Sequence, residues 1–123
     1  SGVDCSGLVH LAYGSAGVTI PRDAHEQFLK AKRITRQELM PADLIFLTES
    51  LKSAKVTHVL LYLGDESLIE SRLAAGKAVR TSFKERFGRS LDSLDSGDFI
   101  LEPTGHKPIK RRIFLGSLLP TNG

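Results

Sequence analysis

Two hydrophobic periods follow one another along the chain, and their order constrains the fold more than any other feature. Up to about residue 32 apolar residues recur at helical intervals, whereas from residue 44 onward they come in short runs suited to strands. In "VDCSGLVHLAY" (3–13), Leu8, Leu11 and Ala12, joined by Val9, predict a helix that turns this stripe to a core. Asp4 serves as its N-cap, and Gly14 and Gly17 as its stops. Pro21 keeps "VTIPRD" extended, and Asp23, with Glu26 as capping-box partner, opens a second helix over residues 24–32. After the Pro41–Asp43 turn, "LIFLT" reads as a buried strand, and "THVLLYLG" and "SLIES" as a hairpin around Gly64-Asp65-Glu66. "KAVRT" adds a strand, and Ser82 to Gly88 a short helix with Ser82 and Glu85 at capping-box spacing. "RSLDSLDSGD" reads as a polar loop, "FILE" and "KRRIFLG" as the last strands around "PTGHKP", and "PTNG" as a frayed end. Helices gathered early and strands gathered late make the expected class α+β with a mainly antiparallel sheet.

The 123 residues, 41% of them hydrophobic, suffice for one core, and no linker or repeat divides them, so one domain is expected. Seventeen basic against fourteen acidic residues leave a formal charge of +3, too mild for a nucleic-acid signature. No apolar run approaches the roughly 20 residues that a membrane-spanning helix needs, and no charged-then-apolar leader opens the sequence. Compartment stays open on these grounds. The basic segment "HKPIKRRIF" reads mainly as a solvated strand face, with contact to anionic polymers through Lys110, Arg111 and Arg112 as the second reading.

The single cysteine excludes an internal disulfide. Behind an Asp4 cap, Cys5 sits in a first helical turn, where unpaired N–H groups and the helix dipole favour a thiolate and offer donors to an oxyanion. The bland alternative is a small buried hydrophobe. Of four histidines, His10 lies about 140° around the helix from Cys5, and His25 and His106 read as surface residues. His58 opens the alternating run "THVLLYLG", where a strand end can face a helix start and act as a general base. Glu70 is the acid within "LIES" and points toward His58 if the hairpin pairs, as an orienting carboxylate or else as an ordinary exposed acid. Histidine and cysteine do not cluster at metal-ligand spacing in the sequence, so neither a metal nor another cofactor is expected.

Five phrases in order, "DCSGLVHLAY" (4–13), "IPRDAHEQ" (20–27), "LMPADLIFL" (39–47), "THVLLYLGD" (57–65) and "LIES" (68–71), resemble the NlpC family of papain-like cysteine peptidases. The resemblance implies a papain-like α+β catalytic domain over residues 1–123. It implies hydrolysis of peptidoglycan stem peptides in the cell envelope or outside the cell, at the bond between γ-D-glutamate and a diamino acid. By it, Cys5 is the nucleophile, His58 the base, Glu70 the third polar residue, and Asp4 and Ser6 bind the peptide on its N-terminal side. A related amidase or acyltransferase reaction, and a non-catalytic wall-binding module, are the alternative functions. Three departures stand out: Glu70 replaces the family's usual histidine, Leu60 its usual glycine two residues after the base, and Ala42 the glycine of its Gly-Asp turn. The aromatic segment that usually precedes the cysteine is not in this sequence, which has no tryptophan. The expectation is therefore a domain lacking its N-terminal portion, with a targeting domain upstream.

Overall fold

The computed structural model describes residues 5–72, 77–103 and 106–119. Asp4 and the end segment 120–123 lie outside the described residues. Among the described residues three α-helices, α1 (Cys5–Ser15), α2 (Ala24–Lys30) and α3 (Phe83–Phe87), accompany seven strands. The strands are β1 (Lys32–Arg33), β2 (Leu44–Thr48), β3 (Val56–Gly64), β4 (Ser67–Arg72), β5 (Lys77–Ser82), β6 (Phe99–Glu102) and β7 (Ile109–Ser117). They run β1-β7-β2-β3-β4-β5, with β6 on the first half of β7, and all the pairings are antiparallel. The α+β class and the mainly antiparallel sheet match the sequence reading.

The unbroken apolar run of β2 is explained by burial on both faces. Leu44 and Phe46 join α1 and α2 in one core, while Ile45 and Leu47 join the other with Phe83, Phe87, Leu91, Leu94 and Ile100. The sheet is thus covered by the two N-terminal helices on one side and by α3, the 90s segment and β6 on the other.

Three details depart from expectation. In α1 the buried stripe is Cys5, Val9 and Tyr13, with Ser6 and Gly7 beside it, while Leu11 is 58% exposed. The 5-9-13 row has the same i, i+4 period as the expected stripe, so periodicity alone did not fix the helix rotation. Helix α2 ends at Lys30 because Ala31 turns extended and Lys32–Arg33 pair with β7 as β1. The polar-looking segment 90–98 contains a 3-10 turn at Leu91–Ser93 whose Leu91 is fully buried. Its backbone is capped from outside: Glu66 accepts from the Leu91 N–H at 2.6 Å and from the Asp92 N–H at 3.1 Å.

Ala42 occupies the position where glycine is usual, and it has a φ of 78°. Its N–H donates to the Tyr62 carbonyl at 2.8 Å and its own carbonyl accepts from the Tyr13 hydroxyl, so the turn cannot relax without losing both bonds. A left-handed non-glycine residue costs roughly 1–2 kcal/mol, partly offset by the lower entropy of the unfolded alanine chain. Ala42→Gly is therefore expected to stabilise the fold by about 0.5–1 kcal/mol. Denaturant midpoints of the two proteins check this, and an unchanged or lower midpoint for Ala42→Gly contradicts it.

Candidate active site

Helix α1 begins at Cys5, and its first turn is held from the side. Gln27, fully buried on α2, donates through Nε2 to the Ser6 carbonyl at 3.1 Å and to the Pro21 carbonyl at 2.9 Å. Helix α2 is itself fixed by Asp23, whose carboxylate accepts from the N–H groups of His25 and Glu26, as its sequence position foretold. His25 is half-buried and structural: its Nδ1 accepts from the Val56 N–H at 3.1 Å, joining α2 to the start of β3. The far end of α1 is tied by Tyr13 to the turn before β2. Burial, then the nearby charge of Asp43, pushes the Tyr13 hydroxyl up to about 12, so it stays protonated at neutral pH.

His58 is the third residue of β3, just after a shift in register where Leu47 pairs with His58 and Thr48 with Val56. That bulge re-aims the strand start, a common device beside functional sites. On β4 the register Leu61↔Ile69 sets Glu70 diagonally across from His58 on the same face. The structure brings three of the five sequence candidates together: His58 Nε2 lies 3.7 Å from Cys5 Sγ and 3.2 Å from Glu70 Oε2. Cys5 is 7% exposed and Glu70 only 3%, so Glu70 is not the ordinary exposed strand acid of the alternative reading. Leu60 between them is fully buried in the core under the sheet. Ser6, the fourth candidate, is buried and accepts from Arg22 Nη1 at 3.0 Å. Asp4, the fifth, falls outside the described residues.

Both neighbours meet the same imidazole nitrogen, so a proton on Nε2 is shared between sulfur and carboxylate. Burial alone would push His58 down. The hydrogen bonds to Cys5 and Glu70, and then the negative charge each can carry, outweigh it and raise the imidazole to about 9. Glu70 shows the converse balance. Burial is the largest single influence and raises it, but the bond to His58 and the charge and hydrogen bond of Arg86, whose Nε donates to Oε1 at 2.8 Å, together hold the carboxyl below the usual range. The arrangement therefore favours imidazolium against carboxylate at neutral pH, beside a sulfur at a helix start. It can stabilise a thiolate, attack a carbonyl and return a proton from Nε2.

Metal-ligand chemistry was not expected from the sequence spacing, yet the fold gathers such atoms. One atom each from Cys5, His58 and Glu70 lie within 4.8 Å of one another, but both Glu70 oxygens already have partners, Oε1 in Arg86 and Oε2 in His58. Two neighbours of the site went unread in the sequence. Arg22 lay within the quoted "IPRDAHEQ", so a signal existed; Arg86 lay in a stretch that announced only a helix.

The NlpC/P60 family pattern matches residues 1–87 of this chain. The bifunctional muramidase/DL-endopeptidase CwlT of Bacillus subtilis is 38% identical over 71 residues, covering 58% of this chain and 22% of that protein. A gamma-D-glutamyl-L-lysine dipeptidyl-peptidase of Bacillus cereus is 40% identical over 70 residues, covering 57% of this chain and 21% of that protein. The chain thus spans about a fifth of the length of these relatives. Among solved structures, an NlpC/P60 family protein from Bacillus cereus is similar with a TM-score of 0.62 at 27% identity, covering 90% of this chain and 31% of that one. RipD of Mycobacterium tuberculosis, a non-catalytic NlpC/p60 domain protein adapted to peptidoglycan binding, shares the fold at 22% identity with a TM-score of 0.61, over 96% of this chain and 68% of that one. With five motifs in order, the antiparallel sheet facing two N-terminal helices and this match over most of its length, the chain belongs to the NlpC/P60 family.

Proposed function

We propose that this chain is a cysteine endopeptidase domain that hydrolyses peptidoglycan stem peptides at the amide between γ-D-glutamate and a diamino acid. The observation that carries the reading is the contact of 3.7 Å between Cys5 Sγ, at the first residue of α1, and His58 Nε2, which is backed by a buried carboxylate. The bond specificity is supported by the B. cereus relative, named for a γ-D-glutamyl-L-lysine bond.

In this mechanism the Cys5 thiolate attacks the amide carbonyl and a C–S bond forms. N–H groups at the start of α1 hold the oxyanion while its negative charge develops. As the intermediate collapses the C–N bond breaks, and the Nε2 proton of His58 passes to the departing amine. Water then attacks the thioester, His58 takes its proton, and the thiolate leaves. Glu70 orients the imidazole through both steps and stabilises the charged form that His58 has before acylation and regains as it takes the proton from water. Asp4 and Ser6 bind the stem peptide on the N-terminal side of the cleaved bond, Ser6 being steadied by Arg22. The site of action is the cell envelope or its exterior, in keeping with a relative named as a peptidoglycan endopeptidase; among the described residues no helix is long and apolar enough to cross a membrane.

Incubation with defined stem peptides followed by mass spectrometry tests the reading. The expected products end at γ-D-glutamate on one side and begin at the diamino acid on the other. Peptides that are retained on the protein but stay intact would establish the binding-module alternative, and transfer of the acyl group to an added amine in preference to water would establish the transferase one.

A further inference from the structure

The C-terminal part of the chain carries no motif of the resemblance, and its basic segment 110–112 read as a solvated face. Arg111 does not behave that way. Its Nε donates to Glu102 Oε2, and its Nη1 reaches the carbonyls of Thr48 at 2.8 Å and Glu49 at 3.1 Å. Glu102, buried at 8% exposure, accepts on its other oxygen from Arg86 Nη2, and Arg86 uses Nε for Glu70. The sequence of partners is therefore His58, Glu70, Arg86, Glu102, Arg111, one from each of β3, β4, α3, β6 and β7. It closes on the strand where it began, because Arg111 Nη1 also lies 3.5 Å from Thr57 Oγ1, next to His58.

We propose that Arg86 is a positioning residue for the imidazole: gripping Glu70 with one nitrogen and Glu102 with another, it fixes the Glu70 carboxylate against His58 within a ring of alternating charges. The local structure supports such a task. Helix α3 is only five residues long, but it is capped by Ser82, ended by a left-handed Gly88, and anchored by Phe83 and Phe87, whose rings lie 4.6 Å apart in the core. Arg86 thus projects from a rigid base, and its planar fork serves two carboxylates at once, which a lysine ammonium cannot match in geometry. The ring also gives the Glu70 departure a physical context. A histidine at position 70 would face Arg86 as a neutral or like-charged group, whereas a glutamate is paired on both oxygens.

The chemistry at stake is the charge of Glu70. Without Arg86, burial dominates, the carboxyl protonates at higher pH, and the imidazolium loses its counter-charge in the acid range. This inference rests on the proposed cysteine chemistry, so its test needs no peptide substrate. Alkylation of Cys5 by iodoacetamide is followed against pH in the full chain and in Arg86→Gln, Arg86→Lys, Glu70→Gln and the Glu70→Gln/Arg86→Gln pair. The expected result for Arg86→Gln is an acid limb moved upward by about one pH unit, so that on the falling part of that limb the reaction is roughly tenfold slower at the same pH. Arg86→Lys should recover part of this. In the Glu70→Gln background the Arg86→Gln change should alter the rate less than about twofold, because a residue acting through Glu70 has nothing left to act on.

An equal loss in both backgrounds, or no shift of the acid limb, overturns the proposal. Should Arg86→Gln fail to fold, carbon NMR of the unaltered chain decides: Glu70 must stay ionised below the ordinary glutamate value of about 4.3, and titration at or above it overturns the proposal. A chain that alkylates as described yet leaves stem peptides intact would remove the substrate assignment and leave Arg86 in its role.

Discussion

Cys5→Ala is expected to lower stem-peptide hydrolysis by on the order of 10³-fold or more, since loss of a covalent nucleophile removes the route itself. No second thiol exists in the chain to substitute for it. The fold should survive. Cys5 is buried beside Val9 and Tyr13 against the sheet, and exchanging its sulfur for hydrogen leaves a void smaller than that of a deleted leucine, at a cost of about 1 kcal/mol. Circular dichroism and a denaturant midpoint check the fold, and product release by chromatography checks the rate. A folded Cys5→Ala protein that keeps more than a few per cent of activity contradicts the mechanism.

Glu70 should grade the activity in the order wild type, Glu70→Gln, Glu70→Ala, with losses of about tenfold and about 10²-fold. Glutamine keeps the shape and an acceptor but not the charge. His58, whose imidazole is raised to about 9 with Glu70 among the causes, then titrates lower, so the alkaline limb of the rate profile moves down in pH. Alanine also removes the acceptor and opens space at a buried position. Since sulfur and imidazole titrate as a pair, the limbs belong to the pair rather than to either residue. Full activity and an unchanged pH profile in Glu70→Ala would return Glu70 to an ordinary structural acid.

The fold class was legible because period and punctuation agree locally in this sequence. Asp23 and Ser82 cap the helices they were expected to cap, and the Gly64-Asp65-Glu66 turn closes the hairpin it announced. The rotation of α1 was not legible: the 5-9-13 stripe includes a cysteine and a tyrosine, which count weakly as core signals next to Leu8 and Leu11, and only the pull of the sheet decides between them. Leu91 was missed because its polar neighbours conceal a buried side chain, and its backbone N–H is satisfied by Glu66, 25 residues earlier in the chain. The Cys5, His58 and Glu70 juxtaposition was readable because all three sit at element starts or in a hairpin with a definite register. The Arg86, Glu102 and Arg111 ring was not, since charge alternation across five elements leaves no period in the sequence.

The central claim is that His58 makes Cys5 a nucleophile, and the rate of Cys5 alkylation by iodoacetamide at pH 6 tests it most directly. An imidazolium raised to about 9 and held against the sulfur should make Cys5 react there much faster than an unassisted thiol, and His58→Ala should abolish that advantage. A wild-type rate at pH 6 no greater than that of an unassisted thiol, and unaffected by His58→Ala, would contradict the account.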